Sequence, residues 1–174
     1  MATDARTRRF ELLAMPHLDA AFNLARWLTG NTADAEDVVQ DAYLRAFRYL
    51  DAFRSENFRV WLLTIVRNSF LDWLKDNRSN RQLFQPAPVD MDWPDTAPSA
   101  EAMLLDRVDS ETLNTLVSQL PAEYREVLIL REIEDLSYKD IAAVTATPAG
   151  TVMSRLSRAR LALRKAWADN EKKL

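Results

Sequence analysis

The stretch Ser137–Arg160, which reads SYKDIAAVTATPAGTVMSRLSRAR, decides the fold of the second half of the chain. A short amphipathic segment, a turn before Pro148 and a longer basic segment follow one another, and this order predicts a helix-turn-helix. In the second segment, apolar side chains recur at the spacing of one helix face, which we expect to pack inward. That inner stripe consists of Val152, Leu156, Ala159 and Leu163.

The opposite face of the same helix has the residue types that bind duplex DNA. At about 100° per residue, the inner stripe leaves hydroxyl and basic side chains pointing outward. They are Ser154, Ser157, Arg158 and Lys165, and Met153 and Arg164 flank them. Arginine can form two hydrogen bonds with guanine and serine can donate or accept one, so this face favours binding in the major groove. The alternative is a solvated face on a purely structural helix.

The charges of the chain are segregated, although its net charge is −3. Between Asp140 and Asp169 the sequence contains no acidic residue. The same interval contains five basic residues, Arg155, Arg158, Arg160, Arg164 and Lys165. A local basic patch matters more for DNA binding than the net charge, so the acidic sum does not exclude that function.

Residues 33–50 predict the clearest helix of the first half. Its apolar face is made by Ala35, Val38, Val39, Ala42, Tyr43, Ala46, Phe47 and Leu50. The polar face gathers Glu36, Asp37, Gln40 and Asp41. Acidic residues near a helix N-terminus also stabilise the helix dipole, so a solvated face is one interpretation. A docking surface for a basic protein partner is the other.

Residues 53–78 combine a helix with a preceding stretch in which aromatic and basic residues alternate. The core face of the helix is Leu62, Leu63, Val66, Phe70, Trp73 and Leu74, and its polar stripe is Thr64, Arg67, Asn68, Asp72 and Lys75. The alternating residues are Phe53, Arg54, Phe58, Arg59 and Trp61. Charged groups bind phosphates and aromatic rings stack on bases, so the mixture favours binding of single-stranded nucleic acid. Completion of the bundle core by Phe58 and Trp61 is an equally good interpretation.

Prolines separate two helical halves. Four of the seven prolines, Pro86, Pro88, Pro94 and Pro98, lie within residues 78–100, where they block helix continuation. We therefore predict an all-α protein with two small helical bundles joined by a flexible linker, the C-terminal one containing the helix-turn-helix. The predicted boundaries are 1–77, 78–101 for the acidic, proline-rich linker, and 102–174. Because the linker offers no continuous core, we expect the two halves to be separable.

Periodicity and capping residues predict eight helices. They are expected near 5–15, 17–29, 33–50, 58–76, 102–119, 122–133, 138–145 and 148–168. Gly30 is expected to end the second helix. Thr32, Ser137 and Thr147 are the expected N-caps of the third, seventh and eighth helices.

The residue inventory argues against an enzyme. The chain has one histidine, His17, two glycines and no cysteine, so phosphate-binding glycine loops and cysteine-based zinc sites are excluded. We expect no catalytic residue, no metal site and no cofactor. The first residues lack the apolar segment of a signal peptide and no apolar run approaches a membrane span, so we expect a cytoplasmic protein.

Taken in order, three segments resemble the extracytoplasmic-function sigma factors of bacterial RNA polymerase. DAEDVVQDAYLRAF (Asp34–Phe47) is similar to the family's core-binding motif. FRVWLLTIVRNSFLDWLK (Phe58–Lys75) is similar to its helix for the minus-ten promoter element, and Leu120–Arg164 to its minus-thirty-five domain. The resemblance implies a non-enzymatic factor that binds core RNA polymerase and promoter DNA and is controlled by an anti-sigma factor. It implies no small-molecule substrate and no membrane insertion.

The resemblance also implies roles for individual residues. Those expected to bind core polymerase are Glu36, Asp37, Gln40 and Asp41. Those expected to meet the melted minus-ten strand are Arg54, Ser55, Glu56, Asn57, Phe58, Arg67 and Asn68. Those expected at the minus-thirty-five element are Met153, Ser154, Arg155, Ser157 and Arg158, with Arg155 and Arg160 nearer phosphates or neighbouring helices.

Two departures from the family pattern bear on promoter preference. The loop after Arg54 contains no glycine and is shorter than the family's usual form, and Met153 stands where many relatives have a basic residue. Two other classes of protein fit part of the sequence. A repressor or activator that acts without polymerase would use only the helix-turn-helix and leaves the stripe at residues 64–75 unexplained. A decoy that binds only an anti-sigma factor would not need outward basic residues such as Arg158 and Lys165.

Overall fold

The computed structural model describes residues 2–77 and 110–173, in which all regular elements are helical. The first half contains α1 (Ala2–Ala14), α2 (Leu18–Thr29), α3 (Thr32–Arg48) and α4 (Phe58–Asp76), with short 3-10 turns at Met15–His17 and Leu50–Ala52. The second half contains α5 (Ser110–Ser118), α6 (Ala122–Leu128), a π-helical turn (Ile129–Ile133), α7 (Tyr138–Thr145) and α8 (Ala149–Glu171). The all-α prediction is confirmed. The expected linker at 78–101 and the start of the helix expected at 102–119 lie outside the described residues.

The ends of the helices follow local hydrogen bonding. Gly30 ends α2 with a φ of 85°, in the left-handed region that glycine tolerates, as predicted. Ser137 caps α7 by accepting a hydrogen bond from the backbone N–H of Asp140 at 3.1 Å, also as predicted. Two predicted N-caps are wrong by one residue. Asn31 rather than Thr32 caps α3, because its amide oxygen accepts from the Asp34 N–H at 2.8 Å.

The other incorrect cap is at the start of α8. The N-cap position is Pro148, whose side chain cannot accept a hydrogen bond. The hydroxyl group of Thr147 instead lies 2.8 Å from the hydroxyl group of Thr145. Thr147 therefore stabilises the turn between α7 and α8 rather than the first turn of α8.

The first bundle packs α2, α3 and α4 around a shared apolar core. Its fully buried members include Leu24, Leu28, Val38, Leu63 and Val66, so the predicted inner faces of α3 and α4 are confirmed. A smaller cluster fixes α1 and the 3-10 turns against this bundle. It contains Ala14, Ala46, Leu50, Phe58 and Leu62.

The second bundle places the helix-turn-helix on α6. Val152, Leu156 and Ala159 of α8 are buried and pack with Ile141 and Val144 of α7, which fixes the rotation of α8 as predicted. The π-helical turn extends α6 and carries the buried Ile129 and Leu130 into the same core.

The two halves are packed against each other, contrary to the expectation that they share no core. One continuous apolar cluster contains Leu24 and Leu63 from the first half and Val127, Leu130 and Ile141 from the second. The contacts join α4 to α7 and α2 to α6. The reason lies in α4, where apolar residues occupy most of the circumference between positions 60 and 66. A helix that is apolar around most of its circumference is buried on more than one side.

Candidate nucleic-acid and partner interfaces

The polar face of α3 is an exposed acidic surface. Glu36, Asp37 and Gln40 are exposed, and the Asp41 side chain is 48% exposed. The carboxylate group of Asp41 lies 2.8 Å from Nε of Arg45, which also reaches Asp72 of α4 at 2.6 Å. The hydrogen bond to Asp72 raises the pKa of Arg45, and Asp41 adds to that shift. Asp41 is therefore held in an ion-pair bridge, whereas the other three predicted residues face solvent.

A groove of about 430 Å³ lies beside this acidic surface, between α2 and α3. It is lined by Leu18, Asp19, Phe22, Glu36, Val39, Gln40 and Tyr43. The hydroxyl group of Tyr43 donates a hydrogen bond to the carbonyl of Ala14 at 2.9 Å. Burial, with the nearby Asp19, raises the pKa of Tyr43 to about 12, so the phenol stays protonated. The groove can accept an apolar side chain of a partner protein, and basic groups of the same partner could then pair with Glu36.

The loop before α4 presents polar residues over an aromatic cluster. Arg54, Ser55, Glu56 and Asn57 are exposed, and the side chain of Asn57 caps α4 by accepting from the Val60 N–H at 3.2 Å. Phe58 is only 6% exposed. Its ring lies 5.2 Å from the rings of Phe53 and Trp61, centroid to centroid. The structure thus places Phe58 in the bundle core, the second of the two interpretations of the sequence.

His17 packs against the same aromatic cluster. Its ring stacks on Phe58 with a centroid distance of 6.2 Å. Burial, with the positive charge of Arg59 nearby, lowers the pKa of His17. The chain's one histidine is therefore a packing residue of this cluster, and its surroundings disfavour the imidazolium form.

The polar stripe of α4 is divided between solvent and the second half of the chain. Asn68 and Lys75 are exposed. Nε of Arg67 lies 2.9 Å from Oε2 of Glu126, with side-chain exposures of 16% and 7%. Arg59 lies in the first turn of α4, outside the polar stripe. Its Nη2 lies 2.6 Å from Oε2 of Glu134, with side-chain exposures of 32% and 6%.

The acidic partners of these arginines were not found from the sequence. Glu126 lies in α6 and Glu134 follows the π-helical turn, and both are buried. Burial raises the pKa of Glu126, and the neighbouring Arg67 opposes that shift. Carboxylates this close to Arg59 and Arg67 could be identified only after the two halves had been placed together, since the residues are far apart in the chain.

The outward face of α8 is exposed, as its predicted rotation requires. Met153, Ser157 and Arg158 face solvent, and Met153 is 51% exposed. Ser154 is half-buried and donates to the carbonyl of Thr151 at 3.1 Å. Two further arginines are tied to acids of the same bundle, Arg155 to Glu123 at 3.7 Å and Arg160 to Glu132 at 2.6 Å.

Comparison with known proteins identifies both halves. The family model described as Sigma-70 region 2 matches residues 13–80, and the model described as Sigma-70, region 4 matches residues 110–163. Within the part of the chain described by the structure, no helix has the length and apolarity needed to span a membrane.

Curated relatives agree with these models. The chain is 36% identical to the ECF RNA polymerase sigma factor SigE of Mycolicibacterium smegmatis over 153 residues, which cover 87% of this chain and 59% of that protein. It is 34% identical to the RNA polymerase sigma-H factor of Pseudomonas aeruginosa over 167 residues, with 91% and 86% of the two chains covered. It is 35% identical to the ECF RNA polymerase sigma factor EcfG of Rhodopseudomonas palustris, with 86% and 78% covered.

Two solved structures share the fold. The sigma factor RpoE of Bartonella quintana, solved with the anti-sigma factor NepR, superposes with a TM-score of 0.71 at 28% identity, covering 92% of this chain and 98% of that one. CnrH, solved with the cytosolic domain of CnrY, superposes with a TM-score of 0.66 at 27% identity, covering 97% and 95%. This chain belongs to the ECF family of RNA polymerase sigma factors.

Proposed function

We propose that this chain binds core RNA polymerase through the acidic face of α3 and directs the enzyme to promoters with α4, the loop before it, and α8. The observation that supports this proposal best is the exposed acidic face with its adjoining groove, on the same chain as an exposed basic helix-turn-helix. A DNA-binding protein that acts alone has no need of the first surface. A protein that only docks on polymerase has no need of the second.

The acidic face of α3 would serve as the polymerase dock. Glu36, Asp37 and Gln40 face solvent, and Glu36 and Gln40 also line the groove. A basic helical surface could therefore place its charges against this face and an apolar side chain inside the groove. Opposite charges across such an interface set orientation and speed of association more than total affinity. Asp41 contributes from within its bridge to Arg45.

The two DNA elements would be bound in different ways. Ser157 and Arg158 on α8 are placed to meet base edges in a major groove, while Arg155 supports the helix through Glu123. The loop at 54–57 and Asn68 on α4 would meet the melted strand, where exposed polar groups can bind splayed bases and phosphates. No bond of the DNA is made or broken in either role.

An anti-sigma factor is the proposed regulator. The similar sigma factor RpoE was solved with the anti-sigma factor NepR, and CnrH was solved with the cytosolic domain of CnrY. A protein covering the acidic and basic surfaces of this chain would compete with polymerase and with DNA. We propose, together with this regulator, that the chain acts in the cytoplasm.

Charge reversal on α3 tests the polymerase dock. Glu36→Lys with Asp37→Lys should weaken binding to core polymerase by tenfold or more, because two attractive contacts become repulsive; tenfold corresponds to about 1.4 kcal/mol. These two positions are preferable to Asp41, whose replacement would place a second cation beside Arg45. The measurement is the affinity for fluorescently labelled core enzyme.

The control reverses two acids elsewhere on the first bundle. Glu11→Lys with Asp76→Lys makes the same change in net charge at exposed positions of α1 and α4 and should bind core as the wild type does. Circular dichroism should show both variants folded. Equal affinities in the two variants would reject the α3 dock. Run-off transcription with core polymerase on a genomic promoter library then tests promoter direction as a whole.

A further inference from the structure

We propose that Met153 is a specificity-determining residue that packs on the 5-methyl group of a thymine in the upstream promoter element. The inference rests on the proposed contact of α8 with duplex DNA and names a base that this helix would select. It is supported by the exposure of Met153, by its position on α8 and by the chemistry of its side chain.

Met153 is a large apolar side chain that α8 leaves uncovered. It is 51% exposed, whereas its neighbours Val152 and Leu156 are buried. Single exposed apolar residues are common on protein surfaces, so exposure alone does not identify a contact. Here the exposed side chain lies on a helix without an acidic residue before Asp169, next to surfaces that DNA can approach.

The position of Met153 on α8 suits contact with base edges. Because α8 begins at Ala149, Met153 lies in its N-terminal part, and the N-terminal residues of a recognition helix contact the bases. Small residues lie one turn before and one turn after it, Gly150 and Ser157, and both are exposed. A Cβ added at Gly150 would meet nothing within 4 Å. The long side chain of Met153 can therefore extend past its neighbours into a groove.

Met153 and Arg158 lie on opposite flanks of the outward face of α8. Five residues separate them, which corresponds to about 140° of rotation and about 7.5 Å of rise along the helix. Ser154 and Ser157 lie between the two flanks. The two long side chains would therefore contact different base pairs, and the effects of replacing them can be measured separately.

The chemistry of methionine favours thymine over the other bases. A thioether has no hydrogen-bond donor, so it cannot satisfy the N7 and O6 acceptors that guanine presents in the major groove. Thymine presents its 5-methyl group there, and contact with Met153 would remove apolar surface of both partners from water. An arginine at the same position would instead favour guanine.

Substitutions of Met153 test the proposal from the protein side. Holoenzyme assembled from core polymerase and the full chain selects binding sites from DNA that is randomised in the upstream element. The wild type should prefer thymine at one or two positions where Met153→Ala shows no preference. Met153→Leu keeps an apolar side chain of similar volume and should retain thymine, and Met153→Arg should replace it with guanine. Preferences at the remaining positions should not change.

The matched control removes an exposed apolar side chain far from α8. Leu12 of α1 is 73% exposed, so Leu12→Ala makes a comparable change on the other half of the chain. It should select the same sequences as the wild type. Circular dichroism should show every variant folded, because the replaced side chains are exposed.

Removal of the methyl group tests the proposal from the DNA side. Deoxyuridine in place of the selected thymine keeps the base pair and removes only the 5-methyl group. Wild-type holoenzyme and Leu12→Ala should bind the deoxyuridine element about fourfold more weakly than the thymine element, the loss expected for one methyl-sized group. Met153→Ala should bind the two elements equally. Each protein is compared with itself, so differences in stability between variants do not enter.

Other results would overturn the proposal. Equal losses on deoxyuridine in the wild type and in Met153→Ala would show that another residue or the shape of the DNA senses the methyl group. Weaker binding of Met153→Ala on all sequences, with unchanged preference, would indicate a contact with the DNA backbone or with polymerase instead. A holoenzyme without any preference in the upstream element would overturn the proposed role of α8, and with it the inference.

Discussion

The polar face of α4 and the outward face of α8 have similar residues in different states. Both combine arginines with small polar side chains on a long helix whose other side is buried. On α8, Arg158 and Ser157 face solvent. On α4, Arg59 and Arg67 are bound to buried glutamates from the other half of the chain. The difference shows that the exposure of arginines on a helix face depends on how the two halves are arranged.

The shared core makes this comparison possible. If the two halves moved independently, Arg59 and Arg67 would not be held by Glu134 and Glu126. Apolar residues of both halves form one cluster beside α4, while Ser157 and Arg158 on α8 stay exposed.

The largest effect should come from a cavity in the shared core. Ile141 is fully buried in α7, the helix that packs on α4. Ile141→Ala should lower the free energy of unfolding by about 2–5 kcal/mol, because it removes packing contacts without filling the space left. Urea unfolding should be followed by circular dichroism and by tryptophan fluorescence. The fluorescence is measured in a background with Trp93→Phe and Trp167→Phe, so that the signal comes from Trp27, Trp61 and Trp73 of the first half.

The same experiment shows whether the halves unfold together. Both signals should shift to lower urea by the same amount in Ile141→Ala. Lys139→Ala, an exposed change in the same helix, should shift neither by more than about 0.5 kcal/mol. A fluorescence transition that stays at its wild-type midpoint would mean that α4 does not depend on the C-terminal half, and the contrast between α4 and α8 would disappear.

A smaller effect is expected at the exposed face of α8. If Arg158 contacts a base edge, Arg158→Ala should cost about 1–3 kcal/mol and relax preference at one or two positions of the upstream promoter element. If it contacts only phosphate, binding should weaken about equally on all sequences and the salt slope should fall by about one unit. Competition on randomised upstream elements at two salt concentrations, with holoenzyme, separates the two outcomes.

The control for Arg158 is an arginine outside the helix-turn-helix. Arg8→Ala removes an exposed arginine of α1 that pairs with Asp4, and it should leave DNA affinity and preference unchanged. If Arg158→Ala behaves as Arg8→Ala does, α8 does not enter the groove in the orientation that its buried stripe implies.

The smallest effect concerns His17, whose ring stacks on Phe58 at the start of α4. Its pKa lies below the ordinary value of 6.5 in the folded chain, because burial against Phe58 and the charge of Arg59 disfavour the imidazolium. The unfolded chain therefore takes up a proton first as the pH falls. The contribution of neutral His17 to the free energy of unfolding is complete above about pH 6.5. It is lost as the pH falls through the lower pKa that His17 has in the folded chain.

A comparison of two proteins isolates this contribution. Between pH 7.5 and pH 5.5, the wild type should lose more of its stability towards urea than His17→Gln, which cannot take up the proton. Other titrating groups are common to both proteins and cancel in the difference. Equal losses would show that His17 is not shielded by the aromatic cluster.

Local structure and surfaces made by single helices could be predicted from the sequence. The rotation of α8 followed from its apolar spacing, and the buried stripe Val152, Leu156 and Ala159 confirms it. The fold class and the acidic face of α3 followed from the same reasoning. Capping was less certain, because neighbouring polar residues such as Asn31 and Thr32 compete for one position and small differences in backbone geometry decide between them.

Relations between distant segments could not be predicted. The pairing of Arg59 with Glu134 joins residues 75 positions apart, and no local pattern links them. The groove beside α3 depends on Phe22 and Leu18 of another helix. The second packing surface of α4 was not predicted, and the prolines of the linker predict separable halves. Proline prevents helix continuation, and it does not prevent two bundles from docking.

The bridge made by Arg45 has an evolutionary consequence. One side chain binds Asp41 on the proposed polymerase surface and Asp72 on the helix proposed to meet DNA. A single substitution at position 45 would alter both surfaces, so selection would act on polymerase binding and DNA binding together. Asp37 and Arg158 lie on separate helices and can vary one at a time. Under the proposed roles, a substitution on α8 leaves the α3 surface intact, whereas a substitution at position 45 removes the ion pairs of α3 and α4 together.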